Sequence, residues 1–203
     1  MKFRQIRSNA EMVLLPITNE VRLCGHATLA TAHTLFNILG SNSIHKQFET
    51  LSGTLWVKKH QDGICMDFPL NKPEPLTENQ QEKYDKLINT ITGYKKVKET
   101  LFSKSTGKLM IRLEDYYTKT DLQSLSPNPK TLLELNEGAE ASGCYCSAHT
   151  VSGSYWSEQL NLKELKCRQC SNRGGDLTLR IRDDNRVDII GKGTTVIEGE
   201  INI

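Results

Sequence analysis

The 203-residue chain carries 26 Lys+Arg against 24 Asp+Glu and is 37% hydrophobic and 25% charged, enough for one large domain or two small lobes. A net charge of +2 makes no nucleic-acid surface, and the pairs Lys58-Lys59 and Lys95-Lys96 are short enough to be solvated faces. The longest apolar run, Met12 to Leu15, stops at Pro16, far short of the ~20 residues of a membrane span. Met1 to Gln5 leads into no apolar stretch or cleavage site, so a cytoplasmic protein without membrane partners is expected.

In chain order, Leu29, Ala32, Leu35, Phe36 and Leu39 repeat at the 3–4 spacing of a helix with one buried stripe, predicting a helix over His26–Leu39. Leu55 and Val57, then Asp62-Gly63, then Ile64, Met66 and Phe68 alternate around a tight-turn dipeptide and predict a hairpin. Pro69, Pro73 and Pro75 interrupt regular structure and mark a boundary, giving an expected division into residues 1–73 and 74–203.

Beyond it, Thr77 and Gln80 form a capping box ahead of Tyr84, Leu87, Ile88 and Ile91, predicting a helix to Thr92 stopped by Gly93. Strands are expected over Val97–Phe102 and Leu109–Leu113, and Thr118–Lys130 reads as a surface connection. A second small-residue helix is expected to open at Ser147-Ala148-His149-Thr150, with Ser147 as its N-cap, and to carry Val151, Tyr155, Trp156 and Leu160. Gly174-Gly175 then leads into Leu177, Leu179 and Ile181, the turn Asp184-Asn185, and Val187 and Ile189. Turn, small-residue helix, glycine and hairpin therefore occur twice, the mark of a duplicated supersecondary unit.

Six cysteines are too few for a disulfide scaffold at this length. Cys144, Cys146, Cys167 and Cys170 have ribbon-like spacing with His149 close by. Cys167 lies in strand-like sequence without the glycines of a zinc knuckle, so unlinked thiols and no metal are expected, with a zinc-stabilised module as the competing reading.

Cys24-Gly25-His26-Ala27-Thr28 places a glycine and a histidine where a helix begins. Such a turn offers outward N–H groups and a favourable dipole to a carboxylate, and His26 can pass a proton near neutral pH. Ser147 and Ala148 offer the same arrangement at the second helix.

The segment Glu20 to Ala30, containing Cys-Gly-His-Ala-Thr, is followed in order by Leu51-Ser52-Gly53, Asp67-Phe68-Pro69, Ser147-Ala148-His149, Tyr155-Trp156-Ser157, Arg173-Gly174-Gly175 and Val196-Ile197-Glu198-Gly199. These motifs resemble the phenazine-biosynthesis PhzF-like family. The resemblance implies an α+β, diaminopimelate-epimerase-like fold: two similar lobes, each a curled, mostly antiparallel sheet around a central helix, in a homodimer. It also implies a cofactor-free isomerase that moves a proton on a small carboxylated metabolite in the cleft between lobes. His26 and Ser147 fall on the family's catalytic positions, and Cys24, Gly25, Ala27 and Ala148 on its substrate-binding turns.

The chain departs from that pattern at both carboxylates. The family's upstream Ser-Glu-Thr segment has no counterpart before Cys24, and Ser142, Gly143 and Cys146 stand where the second signature has Asp, Pro and Gly. The expectation is a member with a truncated N-terminal lobe, internal shortening near 138–146 and weak or lost activity. A non-catalytic anion-binding or dimerising protein is the alternative.

Overall fold

A computed structural model describes residues 3–6, 9–12, 23–135, 145–171, 174–197 and 199. Helix α1 (Gly25–His33) starts after an extended Cys24 (φ −139°, ψ 100°) and continues as a π-helical turn over Thr34–Ile38. Ala32 and Phe36 of the expected stripe are buried, but Leu39 is 69% exposed. The wider π turn rotates the residues after it off the buried face, so the 3.6-residue spacing fails there.

Strands β1 (Phe3–Ile6) and β2 (Asn9–Met12) precede α1, and β3 (His45–Thr50), β4 (Gly53–His60) and β5 (Gly63–Pro69) follow it. The predicted hairpin is β4–β5, its ladder closing at His60 opposite Gly63. Gly63 has φ +133°, and a Cβ there would lie 2.3 Å from the Gly191 carbonyl oxygen. Glycine therefore satisfies both the turn and the close approach of a neighbouring strand.

After β6 (Glu74–Pro75) comes α2 (Glu78–Thr92), capped as predicted: the Gln80 N–H donates to Thr77 Oγ1 at 3.4 Å, and the Thr77 N–H to Gln80 Oε1 at 3.0 Å. Gly93 ends it in the left-handed conformation (φ +58°). Strands β7 (Val97–Ser103) and β8 (Lys108–Leu113) complete a three-stranded sheet in the order β6-β7-β8. The expected surface connection contains a short helix, α3 (Lys119–Gln123), capped by Thr118 and Asp121, and α4 (Pro129–Leu135) begins within it. Tyr84, Leu87 and Ile88 of α2 pack against Phe102, Leu109 and Ile111 of this sheet and Leu132 of α4.

Helix α5 (Tyr145–Leu160) leads to β9 (Glu164–Arg168), β10 (Asp176–Ile181) and β11 (Arg186–Gly191). The large sheet has the order β1-β2-β3-β4-β5-β11-β10-β9, antiparallel throughout except between β2 and β3. The duplication is evident in it: α1-β3-β4-β5 and α5-β9-β10-β11 are each a helix followed by a three-stranded meander. Their last strands join antiparallel about the pair Met66–Ile189. The two units thus share one sheet, where the family resemblance implied a sheet curled around each helix. Antiparallel pairing of β5 with β11 removes the open edge that each meander would otherwise present. The second hairpin turns through Arg182–Arg186, with Asn185 left-handed (φ +59°). Its longer turn still leaves Val187 and Ile189 on the face carrying Ile64, Met66 and Phe68.

That face holds the main core: Phe48, Leu55, Val57, Met66, Phe68, Leu179 and Val187 are all but inaccessible, and Ala32 and Phe36 of the first helical segment close over them. Gly153 brings α5 down onto β10, since a Cβ there would lie 3.0 Å from Leu179 Cδ1. No helix among the described residues is long and apolar enough to cross a membrane.

Candidate functional site

Each repeated unit begins with the start of its helix, and α1 and α5 pack directly on one another. At the first start, Cys24 is the N-cap and its side chain makes no capping hydrogen bond. The turn is tightened from the other side: Thr28, fully buried, donates from its backbone N–H (3.0 Å) and from Oγ1 (2.9 Å) to the Cys24 carbonyl. Gly25 is buried, Cys24 and Ala27 are half-buried, and His26 projects into solvent. The first N–H groups of a helix have no intrahelical acceptor, so this turn presents backbone donors beside an exposed imidazole.

The second start differs from the sequence expectation. The chain is already helical at Tyr145, so Ser147 lies inside the first turn and is not the N-cap; its side chain falls outside the described residues. Ala148 is exposed and Thr150 is fully buried. Cys24, Gly25, His26 and Ala27 are therefore gathered on one turn, and Ser147 and Ala148 on the other helix's first turn.

Sequence reasoning did not single out Asn71, in the proline-broken segment after β5. Nearly buried, it donates from Nδ2 to Thr150 Oγ1 (2.9 Å) and to the Pro69 carbonyl (3.2 Å), and its backbone N–H donates to the Thr150 carbonyl (3.2 Å). Its Oδ1 accepts from Ser105 Oγ in the β7–β8 turn at 2.7 Å. One amide thus ties the beginning of α5 to both sheets. A second tie lies farther along α5: Tyr155 Oη donates to Glu99 Oε2 at 2.5 Å and accepts from Arg112 Nη1 at 2.8 Å. The Arg112 guanidinium lies 4.8 Å from the Trp156 ring centroid and also reaches Asp115. Burial, and then the Glu99 hydrogen bond, push the Tyr155 phenol above its ordinary value. It stays a donor at neutral pH. Glu99 and Arg112 pair across β7 and β8 on the face opposite Phe102, Leu109 and Ile111, which meet α2.

The four-cysteine reading has limited support. Cys167 faces the core from β9 and burial raises its thiol pKa, whereas Cys170 lies beyond the strand with Sγ 3.9 Å from the Arg168 carbonyl. Cys144 and the Cys146 side chain lie outside the described residues, and among the described residues no group of three or more His, Cys, Asp or Glu is placed to hold a metal.

Comparison with known proteins gives concordant matches. The family model described as "Phenazine biosynthesis-like protein" matches residues 15–146. A phenazine biosynthesis-like domain-containing protein of Bos taurus is 38% identical over 216 residues, covering 90% of this chain and 74% of that protein. A protein of Pseudomonas aeruginosa named as an uncharacterized isomerase is 30% identical over 204 residues, covering 91% of this chain and 74% of its own length. In three dimensions, the crystal structure of a phenazine biosynthesis PhzC/PhzF protein from Clostridium difficile superposes with a TM-score of 0.74 at 25% identity, covering 99% of this chain and 82% of that one.

Proposed function

The chain belongs to the phenazine biosynthesis-like protein family, and from that premise we propose that it is a cofactor-free isomerase relocating a proton on a small carboxylated metabolite. The observation that carries this reading is the exposed His26 on the first turn of α1, a helix packed directly on α5. The backbone donors of Cys24, Gly25 and Ala27 hold the substrate carboxylate, assisted by the helix dipole. Ser147 and Ala148 grip the substrate from the start of α5, and His26 exchanges its proton. Two bacterial relatives bear the name isomerase, which fits such chemistry.

Activity in this chain is proposed to be weak. A positioned general base or acid is worth ~10²–10⁴-fold, and Ser142 stands where the family pattern places an Asp. One imidazole supplies part of that factor.

The test is solvent-deuterium incorporation, followed by NMR, into a panel of amino acids and cyclic dihydroaromatic acids. Slow exchange of one carbon-bound proton is expected, falling on the order of 10²-fold or more in His26→Ala. Binding of a panel acid without exchange would instead establish the non-catalytic anion-binding reading, and exchange indifferent to His26→Ala would remove His26 from the reaction. The homodimer implied by the family is checked by light scattering on the same sample.

A further inference from the structure

At the other end of α1, about 10 Å along the axis from His26, lies an open pocket of about 370 Å³. Its charged and polar lining comes from three places: His33 and Asn37 on the helical segment, Lys59, His60 and Gln61 at the β4–β5 turn, and Lys192 in the segment leaving β11. No Asp or Glu lines it. On the turn itself, the Asp62 carboxylate stands 3.7 Å from His60 Nδ1.

Two ammonium groups, those of Lys59 and Lys192, line this pocket. Lys72, Lys98, Lys104 and Lys163 each meet a carboxylate. The smaller pocket over Cys65 on the outer sheet face carries two carboxylates of its own, Asp67 and Asp188, both met by Arg182. Among the described residues, Lys59 and Lys192 form no ion pair. Lys59 is held instead by the Phe36 ring, 5.5 Å from its centroid, and the Ser41 carbonyl at 3.4 Å.

The walls are also fixed in place. His33 is pinned between Asn37 Nδ2, 2.9 Å from its Nδ1, and Thr195 Oγ1, 3.1 Å from its Nε2. Gly193 lies so close that a Cβ there would be 2.8 Å from the ring. The strand thus leaves the sheet through Gly191-Lys192-Gly193-Thr194, a run of small residues, one cation and a hydroxyl against a preset imidazole. Phe36 and Asn37 belong to the π-helical turn, a geometry that recurs at functional sites.

We propose that this pocket binds the phosphoryl group of a small phosphorylated metabolite, with Lys59 and Lys192 as the charge-neutralising pair and Asn37, Gln61 and Thr194 as neutral donors. A tetrahedral dianion suits two ammonium groups carried by separate segments of the lining, with amide and hydroxyl donors beside them. The carbonyl end of the helix nearby opposes an anion, so both lysines contribute to binding.

The experiment is a titration of the full chain with inorganic phosphate, monitored by the ring-proton NMR signals of its histidines, with succinate as a carboxylate comparator. Saturable shifts at two histidine signals are expected with phosphate, at least tenfold tighter than with succinate. Lys59→Gln and Lys192→Gln should each weaken phosphate binding severalfold and the double variant should abolish it, while Lys166→Gln on β9 changes nothing. Both lysines are exposed, so an unchanged thermal midpoint verifies that the variants fold. Absence of saturation, equal affinity for succinate, or phosphate binding retained in the double variant would each overturn the proposal. The readout is binding alone and does not depend on catalysis at the start of α1.

Discussion

Replacing Gly63 by alanine probes the seam on which the two repeated units meet. Two separable penalties act there. The backbone sits at φ +133°, a region that side chains rarely adopt, and holding a non-glycine residue in such a region costs about 1–3 kcal/mol. The added methyl would also lie 2.3 Å from the Gly191 oxygen and 2.9 Å from its carbonyl carbon. Both are backbone atoms of β11, which cannot swing aside as a side-chain tip could; relieving such overpacking costs about 1–3 kcal/mol more. The sum is roughly 2–6 kcal/mol, and at ~2–4 °C per kcal/mol for a protein of this size the midpoint should fall by ~4–24 °C. Gly53→Ala is the internal control: it too has positive φ (+87°), but no atom lies within 4 Å of the added methyl, so it bears conformational strain alone. Urea unfolding of both variants measures the difference. If Gly63→Ala destabilises no more than Gly53→Ala, β11 does not approach the β4–β5 turn as described, and the account of the shared sheet is wrong.

Two further outcomes are expected. Tyr155→Phe keeps the edge-on contact with Trp156 (5.3 Å between centroids) but removes the hydroxyl between Glu99 and Arg112, so chemical denaturation should show a loss of about 1.5–3 kcal/mol, the range for hydrogen bonds to charged groups; a change below ~0.5 kcal/mol would mean the tie is dispensable. The Cys65 thiol is pushed up to about 11 by burial and then by Asp188. Its contribution is complete below the unfolded thiol value and is lost as pH rises from ~8.5 through about 11. Stability should therefore decline across that alkaline window, less so in Cys65→Ala, and alkylation of Cys65 at pH 8 should be slow until the protein is unfolded.

What the sequence disclosed was local. The Thr77–Gln80 box, Gly93, and the two hairpins are written within a few residues of themselves, and the structure places them where expected. Strand β3 escaped notice because Phe48 is its only buried residue, leaving no alternation to read. The π turn escaped because its spacing departs from 3.6 only after Thr34. Pairing of β5 with β11 joins residues remote in the chain, and no period or turn dipeptide encodes that contact. Of the site, the glycine-histidine turn was legible from residue types that suit a helix start, and its placement on α1 followed. Ser147 was misplaced because a serine before small residues resembles a cap, whereas the helix begins at Tyr145. Asn71 had no local signature; its importance comes from neighbours brought in by the fold.

The seam at Met66–Ile189 also bears on synthesis. Arg186, whose Nε donates to Asp67 Oδ1 at 2.6 Å, lies 119 residues downstream of it. At ~5–20 residues per second, the ribosome takes roughly 6–24 s to deliver the mate of β5, long compared with the microseconds in which a hairpin forms. Through that interval the β3–β4–β5 meander stands as a nascent sheet with a sticky flank, a natural target for holdase chaperones. Conditions that slow translation between residues 70 and 186 should therefore favour aggregation during expression even when the finished protein is stable.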